Sequence, residues 1–352
     1  MKSILNVGLI GYGMAGQTFH APIISAVPGL RLKTVVERTG AKSKEHYPWV
    51  EVVQDIQSVL NDEAIDLVVI ATPNATHYEL AKQALLSGKH VVVEKPFTVT
   101  SLEAKELIDL AHQKKLVLSV YQNRRWDGDF ITVKRVLENH LLGRITEYEV
   151  HFDRYRTALK PNTWKEKAMR GSGIVYDLGS HLLDQAQMLF GLPQSITADI
   201  RSQRDGTEID DNFEIILTYA DSLKVTLKAG MLVRELGPHF MLHGTQGSFV
   251  KYGLDPQESA LKRGLRPQAD PSWGIEAEAQ WGKLNTEVSG LHFEGKLETA
   301  RGDYRSYYRN IYDSITSQDD LIVKPEQARN TIRMIELALE SHHLKRTLEF
   351  TE

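Results

Sequence analysis

Cysteine is absent from this chain of 352 residues. Its absence excludes a disulfide scaffold, a thiol nucleophile and a metal site built from thiolates. The chain also lacks an excess of basic charge, because its formal net charge is −4. It therefore shows neither the electrostatic footprint of a nucleic-acid-binding protein nor a charged face for a membrane surface. Its longest apolar runs have the length of strands, which is too short to span a bilayer.

A secretory signal is lacking as well. The N-terminal stretch MKSILNVGLIGYG contains a lysine and an apolar run, but it has no small-residue cleavage site. We therefore expect a cytoplasmic protein. A chain of 352 residues is longer than one hydrophobic core usually organises, so we expect two domains, residues 1–122 and residues 123–352.

Up to about residue 121, short apolar runs alternate regularly with segments of helical periodicity. The expected strands are Leu5–Ile10, Leu32–Val36, Val50–Val53, Leu67–Ala71, Val91–Val93 and Leu116–Val120. The expected helices are Ala15–Ala26, Ile56–Leu60, His77–Ser87 and Leu102–Lys114. Strands that are apolar throughout, each followed by a helix, predict a parallel sheet with helices on both faces. This pattern is typical of the doubly wound, Rossmann-type α/β fold.

After residue 125 the apolar residues recur with period two. The expected strands are Ile145–Tyr155, Asn212–Tyr219, Ser222–Lys228 and His239–His243, with helices over Phe130–Leu142, Tyr176–Phe190 and Pro325–Lys345. Short connections between these strands predict a C-terminal α+β domain with a mostly antiparallel sheet and one open face. An open face is often a subunit interface, so we expect a homo-oligomer, a dimer or a tetramer. Residues 264–302 read as a long, irregular excursion over the second domain.

The stretch GYGMAG places Gly11, Gly13 and Gly16 in the pattern G-x-G-x-x-G, after an expected strand and before an expected helix. The first glycine permits a tight turn, the second lets the backbone approach a pyrophosphate, and the third allows close helix–strand packing. In this position the pattern favours dinucleotide binding over a simple glycine-rich turn. The expected cofactor contacts in this loop are Gly11, Tyr12, Gly13, Met14, Ala15 and Gly16.

The second strand ends in VVERTG, and Glu37 follows Gly16 by 21 residues. This is close to the spacing of about 20 residues for the acid that binds the adenosine ribose. A carboxylate there favours NAD and repels a 2′-phosphate, whereas Arg38 and Thr39 could hold that phosphate. The sequence leaves NAD and NADP about equally open.

The fourth and fifth strands bring further polar residues to the carboxyl edge of the sheet, where ligands bind in this architecture. Thr72, Pro73, Asn74 and His77 are expected at the cofactor, although Asn74 or Thr76 could equally cap the following helix. Glu94, Lys95 and Pro96 follow the fifth strand directly. A lysine in a partly desolvated cleft can donate a proton or a hydrogen bond to a substrate oxygen. A surface lysine at the end of a strand is the simpler reading.

A second polar group lies in GSGIVYDLGSHLLDQ. Asp177, His181 and Asp184 are spaced i, i+4 and i+7, which places them on one face of an expected helix. We favour an acid–base site in which Asp177 tunes His181. A buried polar network is the second reading, and a metal site is the least favoured because no further cluster obviously completes the coordination.

Together these motifs resemble the Gfo/Idh/MocA family of oxidoreductases over essentially the whole chain. The resemblance rests on GYGMAG, ATPNATH, VVVEKP, YQNRRWDGDF, HFDRYR and YDLGSHLLDQ, and it is strongest to the subgroup with the NADP-dependent scyllo-inositol dehydrogenases. It implies hydride transfer between a nicotinamide cofactor and a hydroxyl or ketone of a cyclic polyol or sugar. It also implies that Lys95, Asp177 and His181 are catalytic. Glu37 departs from the subgroup, which has a small polar residue before Arg-Thr.

In the implied mechanism His181 takes the hydroxyl proton, Asp177 stabilises the imidazolium, and Lys95 hydrogen-bonds the reacting oxygen. Further expected cofactor contacts are Glu94, Lys95, Asn123 and Trp164. The expected substrate-binding residues are Lys95, Asn123, Arg124, Asp153, Arg154, Tyr155, Asp177 and His181. No metal is expected.

Two other functions share this plan. A glycosidase could oxidise its sugar transiently and return the hydride, so that no net redox change occurs. A regulator could sense the dinucleotide and signal to a protein partner, but it would not need Lys95, Asp177 and His181 together.

Overall fold

The computed structural model describes residues 4–160, 163, 166–268, 270–317 and 319–351. The chain forms two compact units that are discontinuous in sequence. The first unit comprises Met1–Trp126, Pro256–Trp273 and Asp303–Arg329, and the second comprises Asp127–Asp255, Gly274–Gly302 and Asn330–Glu352. The expected division after residue 122 stays a prediction. Within the described ranges, no helix is long and apolar enough to cross a membrane.

The first unit contains a six-stranded sheet in the order β3-β2-β1-β4-β5-β6. Its strands are β1 (Leu5–Ile10), β2 (Leu30–Val36), β3 (Glu51–Val53), β4 (Leu67–Ile70), β5 (His90–Val93) and β6 (Leu118–Val120). Every neighbouring pair is parallel, which confirms the predicted Rossmann-type sheet. The register pairs Ile10 with Val36 and with Ile70, and Ile70 with Val93. The carboxyl ends of these strands therefore meet at one edge.

The second unit contains a nine-stranded sheet in the order β14-β13-β12-β11-β7-β10-β9-β8-β15. Its strands are β7 (Ile145–His151), β8 (Ser195–Arg201), β9 (Asn212–Thr218), β10 (Lys224–Gly230), β11 (Phe240–Gly244), β12 (Gly247–Lys251), β13 (Gly282–Val288), β14 (Leu291–Leu297) and β15 (Leu348–Glu349). Only β7 and β10 pair in parallel. The predicted mostly antiparallel sheet is confirmed.

Residues 264–302 are more regular than the sequence indicated, because β13 and β14 form a hairpin that pairs with β12. The reading of this stretch as an irregular excursion was wrong over these two strands, and its placement over the second domain was wrong for residues 264–273, which belong to the first unit. In β13 buried Leu284 and Thr286 alternate with more exposed residues, but β14 is exposed or half-buried throughout. An edge strand without a buried face lacks the alternation that identifies a strand.

The helices are α1 (Ala21–Ile24), α2 (Gln57–Leu60), α3 (His77–Leu86), α4 (Ser101–Lys114), α5 (Gly128–Glu138), α6 (Ser180–Phe190), α7 (Gln257–Lys262), α8 (Arg305–Thr316) and α9 (Pro325–Leu344). The expected helix over Ala15–Ala26 is instead a π-helical segment, Gly16–His20, followed by the short α1. Pro22 explains the difference, because it has no N–H to donate to the preceding turn of a regular helix. In α4 the Thr100 hydroxyl accepts from the Glu103 amide, and the Glu103 carboxylate accepts from the Thr100 amide.

Candidate active site

The glycines after β1 leave an open approach to the backbone. Gly11 has a φ of 99°, and a Cβ there would lie 2.6 Å from the Ala71 carbonyl oxygen. A Cβ at Gly16 would lie 2.3 Å from the Gly11 carbonyl oxygen, whereas a Cβ at Gly13 would meet nothing within 4 Å among the described residues. Gly11 and Gly16 are thus required by close packing, and exposed Gly13 leaves room for a ligand to reach the backbone.

The residues between these glycines differ in exposure. Tyr12 is buried, Met14 is 54% exposed, and Ala15 packs in part against the core of the first unit. The Gln17 side-chain amide donates to the Tyr12 carbonyl oxygen at 2.7 Å. This hydrogen bond joins the glycine loop to the π-helical segment behind it.

Glu37 lies at the end of β2 and is only 6% exposed. One of its carboxylate oxygens accepts from the Lys42 amide at 2.9 Å. The other accepts from the amide and the hydroxyl of Ser43, at 2.8 and 2.6 Å. Both oxygens are therefore engaged within the same loop, and Arg38 and Thr39 are among the residues that this loop exposes.

Beyond β4 the residues predicted at the cofactor form a compact turn. The Thr72 and Thr76 hydroxyl oxygens are 2.7 Å apart, and the Thr76 hydroxyl donates to the Pro73 carbonyl oxygen at 2.7 Å. Thr76 makes no side-chain cap of α3. Asn74 is 8% exposed.

His77 is fully buried and links two loops at the carboxyl edge of the sheet. Its Nδ1 lies 2.9 Å from the Pro96 carbonyl oxygen, and its Nε2 lies 2.9 Å from the Thr72 carbonyl oxygen. Burial lowers the pKa of His77, although the two carbonyl groups and Glu94 oppose that shift. Among the predicted cofactor residues, His77 thus joins the turn after β4 to the loop after β5.

Lys95 follows β5 and is half-buried. The Lys95–Pro96 peptide bond is cis, and the Lys95 amide donates to a Glu94 carboxylate oxygen at 2.7 Å. The other Glu94 oxygen lies 3.1 Å from Nε2 of His20, whose Nδ1 lies 2.6 Å from the Tyr308 hydroxyl. A chain of buried polar groups therefore fixes the backbone that carries Lys95.

Glu94 is the central charged residue in this series of hydrogen-bonded polar groups. Burial raises the pKa of its carboxyl, but the hydrogen bond from His20 and the charges of His20 and Lys95 outweigh burial and lower the pKa below its usual value. Glu94 is thus held as a carboxylate that accepts from both sides.

Asp177 lies in a π-helical segment, Val175–Gly179, that leads into α6, where His181 and Asp184 follow. His181 is 4% exposed and Asp184 is 1% exposed, while Asp177 is half-buried. The expected helix over Tyr176–Phe190 is confirmed from Ser180 onward, but its first turn is wider than an α-helix. π-helical turns inside helices frequently occur at functional sites.

Asp210 anchors this wide turn. Its carboxylate accepts from the Val175 amide at 2.8 Å, and its carbonyl oxygen accepts from the Ile174 amide at 3.1 Å. Burial raises the pKa of Asp210 to about 6. Gly173 passes so close that a Cβ there would lie 1.8 Å from the Asp210 carboxylate.

The other predicted substrate-binding residues lie in two parts of the chain, after β6 and after β7. Asn123 and Arg124 are buried, and the Arg124 guanidinium pairs with the Glu258 carboxylate. Strand β7 ends at His151, not at Tyr155, and the chain continues with an Asp153 carboxylate 2.9 Å from His151 Nδ1. Arg154 stacks over the Phe152 ring, and Tyr155, 46% exposed, carries the Arg234 guanidinium over its own ring. Trp164 lies outside the described residues.

His20, Tyr308 and Asp210 were not among the residues predicted from the sequence. None of the three belongs to a local spacing pattern, since Tyr308 follows Glu94 by more than two hundred residues. Only buried polar groups that need partners could have suggested them. In the part of the chain that the structure describes, no cluster of three or more His, Cys, Asp or Glu side chains has metal-binding geometry.

Comparisons with known proteins cover both units. Residues 5–122 match a family model for the NAD-binding Rossmann fold of the Gfo/Idh/MocA oxidoreductases, and residues 134–350 match the model for their C-terminal α/β domain. The chain is 45% identical to the oxidoreductase YdgJ of Escherichia coli over 99% of both chains. It is 39% identical to the scyllo-inositol 2-dehydrogenase (NADP+) IolW of Bacillus subtilis, over 98% of this chain and 95% of IolW. A crystal structure of an oxidoreductase from Bacteroides fragilis aligns with a TM-score of 0.91 and 46% identity, over 99% of this chain and 100% of that one.

Proposed function

The chain belongs to the Gfo/Idh/MocA family of NAD(P)-binding oxidoreductases, and on that premise we propose that it is an NADP-dependent dehydrogenase of a cyclic polyol such as scyllo-inositol. The observation that carries this proposal is the 39% identity to IolW over nearly the full length of both chains. A cyclic polyol carries a hydroxyl on every ring carbon, so its binding site needs polar side chains for the hydroxyls around the reacting carbon. This chain has polar residues in each of the family's motifs.

The glycine loop fits a dinucleotide. Gly13 leaves the backbone open to a pyrophosphate, and the N-terminus of a helical segment follows directly at Gly16. Tyr12, Met14 and Ala15 lie in the same loop and would border the cofactor. When bound, the nicotinamide cofactor supplies the hydride chemistry, and the protein supplies position and proton handling.

Glu37 supports NADP over NAD. An acid that binds the adenosine ribose must have carboxylate oxygens available to the ribose hydroxyls. In this chain three hydrogen bonds from Lys42 and Ser43 engage the Glu37 carboxylate within its own loop. Arg38 and Thr39, which the loop exposes, are the groups suited to a 2′-phosphate.

We assign the transfer of the substrate proton and the stabilisation of the resulting charges to three residues. His181 takes the proton of the substrate hydroxyl as general base, and Asp177, one turn before it, stabilises the imidazolium that forms. Lys95 donates a hydrogen bond to the reacting oxygen and stabilises its developing negative charge. The hydrogen bonds of Glu94 to the Lys95 amide and to His20 hold the lysine in place.

The remaining hydroxyls of the substrate are assigned to Asn123, Arg124, Asp153, Arg154 and Tyr155. Arg124 would act with Glu258 beside it, because the two side chains form an ion pair. Asp153 would act with His151, its hydrogen-bond partner. These roles rest on the family motifs and on side-chain chemistry.

The experiment is a measurement of nicotinamide reduction by absorbance on mixing the protein with scyllo-inositol and NADP+, repeated with NAD+. Reduction with a preference for NADP+ is the expected result. Reduction with a preference for NAD+ would retain the dehydrogenase and refute the cofactor assignment. No reduction, with cofactor binding shown by a thermal shift, would refute the polyol substrate.

A further inference from the structure

A segment late in the chain returns to the first unit and packs beside the glycine loop. We call residues 256–268 and 270–273 the returning segment. It forms one compact unit with residues 1–126, and its helix α7 contacts the π-helical segment Gly16–His20. The returning segment therefore reaches the part of the first unit that carries the dinucleotide-binding loop.

Gln257 fixes both ends of the returning segment and is 1% exposed. Its side-chain oxygen accepts from the Trp273 indole N–H at 3.0 Å and from the Tyr304 amide at 2.9 Å. Its side-chain nitrogen donates to the Trp126 carbonyl oxygen at 3.1 Å. A single buried amide thus joins the segment to two other parts of the unit.

Three further contacts hold the middle of the returning segment. Glu258 pairs with Arg124, and Leu261 is buried in the same core as Tyr12 and Tyr47. Burial raises the pKa of Glu258, but Arg124 and Lys262 outweigh it and bring the pKa to about 2. Arg305 donates to the Pro267 carbonyl oxygen at 3.2 Å. The backbone is therefore held on both sides of Arg266.

Arg266 is half-buried and lies in the segment whose Leu261 packs in the same core as Tyr12 and Tyr47. Tyr47 follows the loop that Glu37 organises, and Tyr12 lies within the glycine loop. Burial raises the pKa of both tyrosines, that of Tyr12 to about 12, and the Arg266 guanidinium opposes this shift in each. The charge of Arg266 therefore acts on both hydroxyls, one in the glycine loop and one in the segment after β2.

The two tyrosine hydroxyls are buried side-chain oxygens beside this cation. Tyr12 is 8% exposed and Tyr47 is 4% exposed. The Arg266 guanidinium interacts with the Tyr47 hydroxyl and opposes the rise of its pKa. Within the described residues, neither tyrosine hydroxyl makes a hydrogen bond of ordinary geometry. Buried hydroxyls in folded proteins are nearly always hydrogen-bonded. Two unpartnered hydroxyls and an adjacent cation therefore lie together, and donors of this kind are suited to an anionic group.

We propose that Arg266 determines cofactor specificity by binding the 2′-phosphate on the adenosine ribose of NADP, with the Tyr47 hydroxyl as a second donor. This inference rests on the proposed NADP dependence and adds a residue outside both the glycine loop and the loop after β2 that exposes Arg38. A phosphate monoester carries close to two negative charges at neutral pH, and a guanidinium binds it through two parallel hydrogen bonds. NAD has no such phosphate and gains nothing from Arg266.

The test is a calorimetric measurement of binding, without turnover, using adenosine 2′,5′-bisphosphate and adenosine 5′-monophosphate as probes. Arg266→Gln is expected to raise the Kd of the bisphosphate about 10- to 100-fold and to leave the Kd of the monophosphate within about twofold. Arg266→Lys should recover part of the affinity, because it restores the charge without the two-pronged geometry. Arg263→Gln, an exposed arginine of the same segment, is the matched control and should change neither Kd.

The outcomes separate this inference from the cofactor assignment. A wild-type protein that binds both probes equally well would refute NADP dependence and the role of Arg266 together. A wild-type preference for the bisphosphate that survives in Arg266→Gln would refute only the role of Arg266. Equal loss of both probes in Arg266→Gln would show that the arginine merely supports the fold of the pocket, and this too would overturn the proposal.

Discussion

At the scale of single residues, the position of Lys95 depends on groups that lie far from it in sequence. Its amide is held by Glu94, and Glu94 is held by His20, which in turn contacts Tyr308 from α8. The Glu-Lys-Pro motif could be recognised in the sequence. Its supporting groups could not, because no local pattern connects residues 20, 94 and 308.

Replacing Lys95 by Met tests the lysine itself. We expect a kcat about 10² to 10⁴ lower, because the reacting oxygen loses a hydrogen bond and a nearby positive charge. The unfolding temperature should stay close to wild type. Lys105→Met, on the exposed face of α4, is the matched control and should keep full activity. Wild-type turnover in Lys95→Met would remove the lysine from the mechanism.

Asp129 in α5 is a buried carboxyl at 1% exposure. Burial, with the nearby Asp255 charge, raises its pKa to about 7, although Lys251 opposes the shift. A carboxyl whose pKa is raised on folding contributes stability that is complete below about pH 4, its unfolded value, and that is lost as pH rises through 7. Above that pH the folded protein must hold a buried charge or release it by unfolding.

Asp129→Asn removes this titration and keeps an oxygen that can accept from the Phe130 amide. We expect a higher unfolding temperature than wild type at pH 8.5 and a clearly smaller difference at pH 5, measured by calorimetry. Glu138→Gln, an exposed carboxylate at the other end of α5, should show no such pH dependence. A loss of stability in Asp129→Asn that is equal at both pH values would contradict the raised pKa.

At the scale of elements, the π-helical turn before α6 shows what periodicity cannot predict. The spacing of Asp177, His181 and Asp184 predicted a helix, and α6 confirms it from Ser180 onward. The wider first turn depends on Asp210, which accepts from the Val175 amide across 35 residues of sequence. A hydrogen bond between distant residues has no signature in a window of helical length.

Gly173→Ala should displace this turn. The new methyl group would lie 1.8 Å from the Asp210 carboxylate, and the φ of 93° at Gly173 is unfavourable for alanine. We expect a loss of about 2–4 kcal/mol in the free energy of unfolding. We also expect a lower kcat with unchanged NADPH affinity, because only the Asp177 turn moves.

Gly206→Ala is the matched control for that variant. Gly206 also has a positive φ, of 72°, but its nearest neighbour for a Cβ is a Leu159 methyl group at 3.9 Å. We expect it to lose about 1 kcal/mol of stability from backbone strain alone and to keep its kcat. Equal loss of kcat in the two variants would mean that the contact with Asp210 does not position the catalytic turn.

At the scale of the whole molecule, the plan of two sheets could be predicted, but the path of the chain between the units could not. The parallel sheet could be predicted because its strands are apolar throughout, such as LVVI in β4. The returning segment contains charged residues and prolines, and nothing in its sequence says that Leu261 and Trp273 are buried in the first unit. That placement depends on Gln257 and on packing between residues distant in sequence.

We predict a homo-oligomer formed through the second unit's sheet. On β9 the side chains of Phe213, Ile215 and Leu217 are buried, whereas Ile216 on the opposite face is only half-buried. Ile216→Arg should therefore shift the wild-type dimer or tetramer toward monomer in sedimentation velocity. Leu291→Arg, 74% exposed on the edge strand β14, should leave the assembly unchanged. A wild-type monomer at micromolar concentration would refute the interface.

The most direct test of the central claim is to follow the hydride itself. The protein is mixed with NADP+ and scyllo-inositol that carries deuterium on its ring carbons, and the reduced cofactor is analysed by mass spectrometry. The account predicts that one deuterium is transferred to C4 of the nicotinamide, and that His181→Asn, with unchanged cofactor binding, transfers it far more slowly. Bound cofactor that receives no deuterium from this polyol, under conditions in which the wild-type fold is intact, would contradict the account.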